Sequence, residues 1–295
     1  MTLEFPRLIA QLVMVATTRL RSAGVDTPRL DAEMLLCFVI AAERTFLIAH
    51  PDACVDEPQR TRFESLVRRR CEREPLPYLT GSQPFLDFSV TVAPGVLIPR
   101  PETELLVEVA LSCLPPNRHP VLVVDVGVGS GAVTIGVARG RSDVRVAAID
   151  CSEAALCIAA DNVSRLDLRE RVDLFCGDLL SAAPRKWLGS VDLVVSNPPY
   201  VPTALLRELP PEVGFYEPRI ALDGGSDGLD VVRRLALQAM AWLRPTGALV
   251  VEIGEGQGPA VREVLANAGY IEPVIRLDYA GIDRIAFAIK PDLSR

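Results

Sequence analysis

Leu8, Leu12, Ala16 and Leu20 fall four residues apart, with Ile9 and Val13 beside them, and Gly24 follows. That spacing lines one face of a helix with apolar side chains and ends it before the glycine. Thr27-Pro28 reads as an N-cap with proline at the first helical position, opening a second helix through Met34, Leu35, Phe38 and Val39. A third amphipathic helix carries Phe63, Leu66 and Val67 and runs into "RRRCERE". Those arginines are expected to form a solvated last turn favoured by the helix dipole, with contact to a partner as the alternative. Residues 1–75 are therefore predicted to form a helical domain.

From Pro75 the pattern changes. "PLPYLTGSQPF" is rich in turn residues, and Phe88, Val90 and Val92 then alternate as one face of a strand. Residues 76–98 read as a linker containing a β-hairpin, which leaves 99–295 for a second domain. There "VLVVDV", "VRVAAID", "VDLF", "VDLVVS", "GALVVEIG" and "DRIAFAIK" are short apolar runs separated by helical patterns. Such alternation predicts an α/β domain with a mostly parallel sheet covered by helices on both faces.

Composition narrows the classes. The 295 residues are 49% hydrophobic and 23% charged, enough apolar material for full cores and no sign of wholesale disorder. A net charge of −7 argues against tight, non-specific binding to duplex DNA. "MTLEFPRL" lacks the basic-then-apolar order of a signal peptide, and no apolar run approaches the roughly 18 residues of a membrane span. Seven cysteines without a C-x-x-C pair read as reduced thiols, so a cytoplasmic location is expected. Two distant histidines, His50 and His119, make a zinc site improbable and no metal is expected. His50 reads as a helix end and His119 as part of a proline-flanked loop.

Candidate chemistry lies in two loops. "VLVVDVGVGSGAVTIGVA" sets Gly127, Gly129 and Gly131, with Val128 and Ser130 between them, on a strand-to-helix turn where the backbone can approach a ligand closely. Asp150 closes the next strand, where a carboxylate can accept hydrogen bonds from both ribose hydroxyls of an adenosine. Taken alone, the loop suits either a dinucleotide pyrophosphate or the methionine end of S-adenosylmethionine (SAM). "SNPPYV" decides between them. Asn197-Pro198-Pro199-Tyr200 follows the fourth strand, where prolines make a rigid turn. A carboxamide or aromatic amine nitrogen is a poor nucleophile because its lone pair is delocalised. Two acceptors, the Asn197 side-chain oxygen and a carbonyl in the Pro-Pro turn, can each take one N–H and favour the charge that develops on methylation. Tyr200 can lie against the flat group and hold its orientation.

With these motifs in place, the chain resembles the HemK/PrmC family of N5-glutamine methyltransferases. The resemblance rests on "PLPYLTGSQPFLDFSVTVAPGVLIPRPETELLVE", "DVGVGSGAVTI", "SNPPYV", "YEPRIALDGGSDGLD" and "LDYAGIDRIAFA", across residues 75–290. It implies a class I SAM-dependent methyltransferase fold, Rossmann-like with a seven-stranded mostly parallel sheet, behind a small N-terminal helical domain that recognises substrate. It implies methyl transfer from SAM, leaving S-adenosylhomocysteine, to the glutamine of the Gly-Gly-Gln loop of class I peptide chain release factors, in support of translation termination. Asn197, Pro198 and Tyr200 would be catalytic, and Asn197 to Tyr200 would bind the substrate glutamine. Residues 127 to 131, Asp150, Leu179 and Asn197 would hold the cofactor, with Asp178 beside Leu179. Val128 departs from the family's usual threonine, and Leu179 from an aromatic that some members place near the adenine. Arg100, Glu102 and Thr103 of "PRPETE" either cap the helix that begins there or serve the cofactor. Glu217 and Arg219 read first as a surface pair, with a place in the cleft as the alternative. An adenine N6-methyltransferase shares the N-P-P-Y turn, and a non-catalytic SAM-binding or ribosome-associated module is the other rival; direct DNA binding is not expected.

Overall fold

The computed structural model describes residues 6–116 and 118–292. The chain divides into two compact units, Met1–Ser82 with Pro210–Tyr216, and Gln83–Leu209 with Glu217–Arg295. The first unit holds α1 (Ile9–Ser22), α2 (Pro28–Ile40), α3 (Arg44–Ala49), α4 (Glu57–Cys71) and α5 (Leu76–Thr80). Leu12, Ala16 and Leu20 bury their stripe among Leu35, Leu36, Phe63, Leu66 and Val67. The Asp56 carboxylate caps α4 by accepting the Gln59 N–H at 2.8 Å. His50 ends α3.

One arginine of the basic run is not solvated. The Arg70 side chain is 7% exposed and meets Asp31, 5% exposed, at 2.7 Å. It also reaches Glu212 at 2.9 Å, and Arg73 grips the same carboxylate at 2.6 and 2.7 Å. Burial of a guanidinium is tolerable only when carboxylates meet it. Its partners lie 39 and 142 residues away in sequence, so the local pattern carries no trace of them. Glu212 sits on the short helix Pro211–Gly214, which is how a distant segment joins the helical unit.

The larger unit begins with the hairpin strands β1 (Ser82–Phe85) and β2 (Phe88–Thr91), then α6 (Thr103–Ser112). Next come β3 (Val121–Val126), α7 (Ala132–Gly140), β4 (Val144–Asp150), α8 (Glu153–Arg165), β5 (Val172–Cys176) and β6 (Val191–Ser196). Beyond them lie β7 (Leu243–Glu252), β8 (Ile271–Leu277) and β9 (Asp283–Ile289), with helices at Asp230–Trp242 and Gly258–Asn267. Seven strands form one sheet in the order β5-β4-β3-β6-β7-β9-β8. β9 runs antiparallel to both of its neighbours, while the other pairings are parallel. β3 and β6 are valine-rich and lie under helices on both faces, so nearly every side chain in them is buried. β8 has no counterpart among the apolar runs of the sequence. It is an edge strand with a bulge and Pro273, and its burial does not alternate.

The sheet's connections reverse direction between β3 and β6, the place where open α/β sheets leave a crevice. Val126 pairs with Ser196, so the loops beginning at Gly127 and Asn197 leave the sheet side by side. The Ser196 hydroxyl donates to the Val126 carbonyl at 2.6 Å and ties the two strand ends together.

Candidate active site

Above those strand ends lies a cavity of about 580 Å³. Gly127, Gly129, Asp150, Asp178, Leu179, Asn197, Pro198 and Pro199 all line it. Gly127 and Gly129 have φ of +79° and +54°, so the loop turns through backbone that favours glycine. The remaining residues of the loop face away. Val128 is packed in the core, the Ser130 carbonyl accepts from the Asn162 carboxamide at 2.9 Å, and Gly131 opens α7 against Ala159. Asn162, buried on α8, also exchanges hydrogen bonds with the Thr91 backbone at 2.7 and 3.0 Å, fastening the hairpin to the loop.

Asp150 supports the loop as well as facing the cavity. One carboxylate oxygen accepts the Gly129 N–H at 2.9 Å and the other the Ser152 N–H at 2.9 Å. Each oxygen keeps a further acceptor site. Leu179 lines the adjacent wall at φ +50°, an uncommon conformation for a branched side chain. Asp178 pairs with Arg234, which also lines the cavity.

The Asn-Pro-Pro-Tyr turn is clamped from behind by residues 222–228. Val201 donates to the Leu222 carbonyl at 2.9 Å, Gly224 returns a bond to Val201 at 2.9 Å, and Thr203 donates to Gly225 at 2.8 Å. A Cβ on Gly224 would stand 2.7 Å from the Pro199 carbonyl oxygen, and one on Gly228 would fall on that of Tyr200. The Gln257 carboxamide holds the Tyr200 carbonyl at 2.9 Å. The "LDGGSDGLD" run thus fixes the turn's shape through backbone contacts that only glycine permits.

Tyr200 does not line the cavity; its hydroxyl points to Glu252 Oε1, 3.5 Å away. Thr103, at the start of α6, is buried, and its hydroxyl oxygen accepts from Asn197 Nδ2 at 3.2 Å. Glu252, at the end of β7, is 1% exposed, and its Oε2 has no hydrogen-bond partner among the described residues. Burial pushes its carboxyl up to about 7, against the pull of the Thr103 hydroxyl and Arg284. Asp125, on β3 two residues before Gly127, is likewise pushed up to about 7 by burial, while the Thr134 hydroxyl at 2.5 Å opposes the shift. Its other oxygen is buried without a hydrogen-bond partner among the described residues. Asp125, Asn162 and Glu252 were not among the residues singled out from sequence. Their only sequence signal is a polar residue inside an otherwise apolar strand or helix face.

Arg100 and Glu102 do not line the cavity, and Glu102 precedes α6 without a side-chain cap. Glu217 and Arg219 are not a pair. Arg100 holds the buried Glu217 carboxylate with both contacts at 2.7 Å, while Arg219 pairs with Asp223 at 3.0 Å. Pro218 through Ala221 form one wall of the cavity, with Ile220 63% exposed at its edge. A four-residue spacing, 219 to 223, suits the local pair; the 117-residue separation of the other hid it. Among the described residues there is no group of His, Cys, Asp and Glu placed to hold a metal ion, and no helix long and apolar enough to cross a membrane.

A seven-stranded sheet with one reversed strand, a glycine loop after its first strand and an acidic residue ending the second define a class I methyltransferase fold. A solved methyltransferase from Pyrococcus furiosus shares it, at 17% identity and TM-score 0.51 over 69% of this chain and 89% of that one. Residues 11–81 match the PrmC N-terminal domain and residues 102–206 the methyltransferase small domain. The release factor glutamine methyltransferase of Moorella thermoacetica is 42% identical, covering 96% of this chain and 98% of its own. That of Geobacter sulfurreducens is 40% identical over 90% and 91%. The chain belongs to the release factor glutamine methyltransferase family.

Proposed function

We propose that this enzyme transfers a methyl group from SAM to the side-chain amide nitrogen, N5, of the glutamine in the Gly-Gly-Gln loop of class I peptide chain release factors, in the cytoplasm. The observation that carries the reading is the convergence of Gly127, Gly129, Asp150, Asn197 and Pro198 on one cavity. The residues suit the cofactor: the glycine backbone leaves room for a close ligand, and Asp150 has acceptor capacity for ribose hydroxyls. SAM supplies a methyl group made electrophilic by its sulfonium.

The chain's own residues supply position. Asn197 Oδ1 and the Pro198 carbonyl each accept one N–H of the substrate amide and favour the positive charge that builds on its nitrogen. The clamped turn holds both acceptors without reorganisation. Tyr200, whose phenol burial pushes up to about 12, stays a neutral hydroxyl and points to Glu252 at 3.5 Å. Substrate glycines let the peptide backbone approach the cavity mouth beside Ile220.

The test is methylation of an intact release factor with labelled SAM, read by mass spectrometry. Methyl on the loop glutamine is expected, and none when that glutamine is changed to glutamate, which offers no N–H and brings a repelling charge. A short loop peptide should be a poor substrate, since remote contacts supply binding energy for the chemical step. Methyl groups on adenine, with none on the glutamine, would overturn the reading.

A further inference from the structure

Among the buried polar groups of the larger unit, one cluster touches the reactive turn without lining the cavity. Asn197 Nδ2 donates to Thr103 Oγ1 at 3.2 Å, the Tyr200 hydroxyl stands 3.5 Å from the Glu252 carboxyl, and the Thr103 hydroxyl is near enough to that carboxyl to favour its charged form. A primary carboxamide can sit in either of two senses, O and N exchanged, with almost no change of shape. Only one sense presents an acceptor to a substrate amide.

We propose that Thr103 and Glu252 are positioning residues that fix the sense of the Asn197 carboxamide. This rests on the reading of Asn197 as the acceptor for the substrate N–H. An ionised carboxylate has acceptors alone, so it draws the hydroxyl hydrogens of Thr103 and Tyr200 towards itself. The Thr103 oxygen then offers only lone pairs to Asn197. The NH2 end must meet it, and Oδ1 is left to serve the cavity. The reversed carboxamide would set oxygen against oxygen in a buried place, which leaves both unsatisfied.

Protonation of Glu252 inverts this logic. A neutral carboxyl donates to Thr103, whose own hydrogen is released to donate to Asn197 Oδ1. The reversed sense is then satisfied, and NH2 faces the substrate NH2, donor against donor. The groups facing Glu252 set where the change occurs: burial and Glu102 raise its pKa, Thr103, Arg284 and Tyr200 lower it, and the balance stands at about 7. Turnover should therefore climb as pH rises through that value.

The experiment is release-factor methylation by the full-length protein across pH 5.5–9, with SAM affinity by calorimetry and melting curves for each variant. Thr103→Val, which keeps the shape, should lose about tenfold in kcat, the order of one orienting hydrogen bond. Its SAM affinity should stay within about twofold, since Thr103 does not line the cavity. Thr103→Ser should restore most of the loss. Glu252→Gln should abolish the rise in kcat near pH 7. Wild-type kcat in Thr103→Val, or a rise retained in Glu252→Gln or absent from the wild type, would overturn the proposal. A wild-type protein that leaves the glutamine unmodified would instead overturn the functional reading beneath it.

Discussion

Asp150→Ala should weaken the cofactor far more than it disturbs the fold. The carboxylate already accepts Gly129 N–H and Ser152 N–H at 2.9 Å each, and each oxygen retains one acceptor site for a ribose hydroxyl. Hydrogen bonds to a charged group contribute about 1.5–3 kcal/mol, so the loss corresponds to about 10- to 150-fold in Kd. The freed backbone N–H groups stand at the cavity wall, where water can reach them, which keeps the stability cost small. Asp150→Asn separates the two roles. It keeps the volume and one acceptor oxygen but exchanges the other for a donor, so it should fall between wild type and alanine. Calorimetric titration with SAM and S-adenosylhomocysteine, beside melting curves, measures both. Unchanged affinity in Asp150→Ala, with the protein folded, would refute the assignment of this carboxylate to the ribose.

Gly228→Ala should bind SAM yet lose on the order of a hundredfold in kcat, because a methyl group there displaces the Tyr200 carbonyl and misplaces the turn; single-turnover methylation checks it. Arg70→Met leaves the buried Asp31 without its cation, though Glu212 keeps Arg73, and should cost the helical unit about 3 kcal/mol in denaturant unfolding. Asp125 holds its proton to about 7 in the folded protein and to 3.8 ordinarily, so between these values the native state binds more protons and its stability falls as pH rises. Asp125→Asn removes that slope. Its melting temperature should gain on the wild type from pH 4 to 7 and hold a constant lead above; a lead that does not change with pH would sink the argument.

Where the apolar repeat was strong, the sequence showed the elements. The stripe of Leu12, Ala16 and Leu20, the valine runs of β3 and β6, and the glycine turn between β3 and α7 all follow from spacing alone. β8 was hidden because an edge strand has little to bury and needs no alternation. The candidate site was legible where a motif brings its residues to the cavity, as at Asp150 and Asn197. It was illegible where a side chain acts through a partner far along the chain. Glu252 meets Tyr200 across 52 residues, and Asn197 meets Thr103 across 94. A glutamate ending a valine strand looks like any strand end until the fold supplies its neighbours.

The helical unit is made from two pieces of chain, and this bears on how such a protein can be re-engineered or recombined. Exchanging residues 1–82 for those of a relative would carry over Asp31, Arg70 and Arg73 but leave the host's residues 210–216 behind. The imported arginines would then face whatever the host has at the place of Glu212. Moving the seven-residue segment together with the N-terminal one keeps those buried charges paired whatever the host carries. The inheritable module is therefore discontinuous: its second piece lies more than a hundred residues from the first in sequence and folds as part of it.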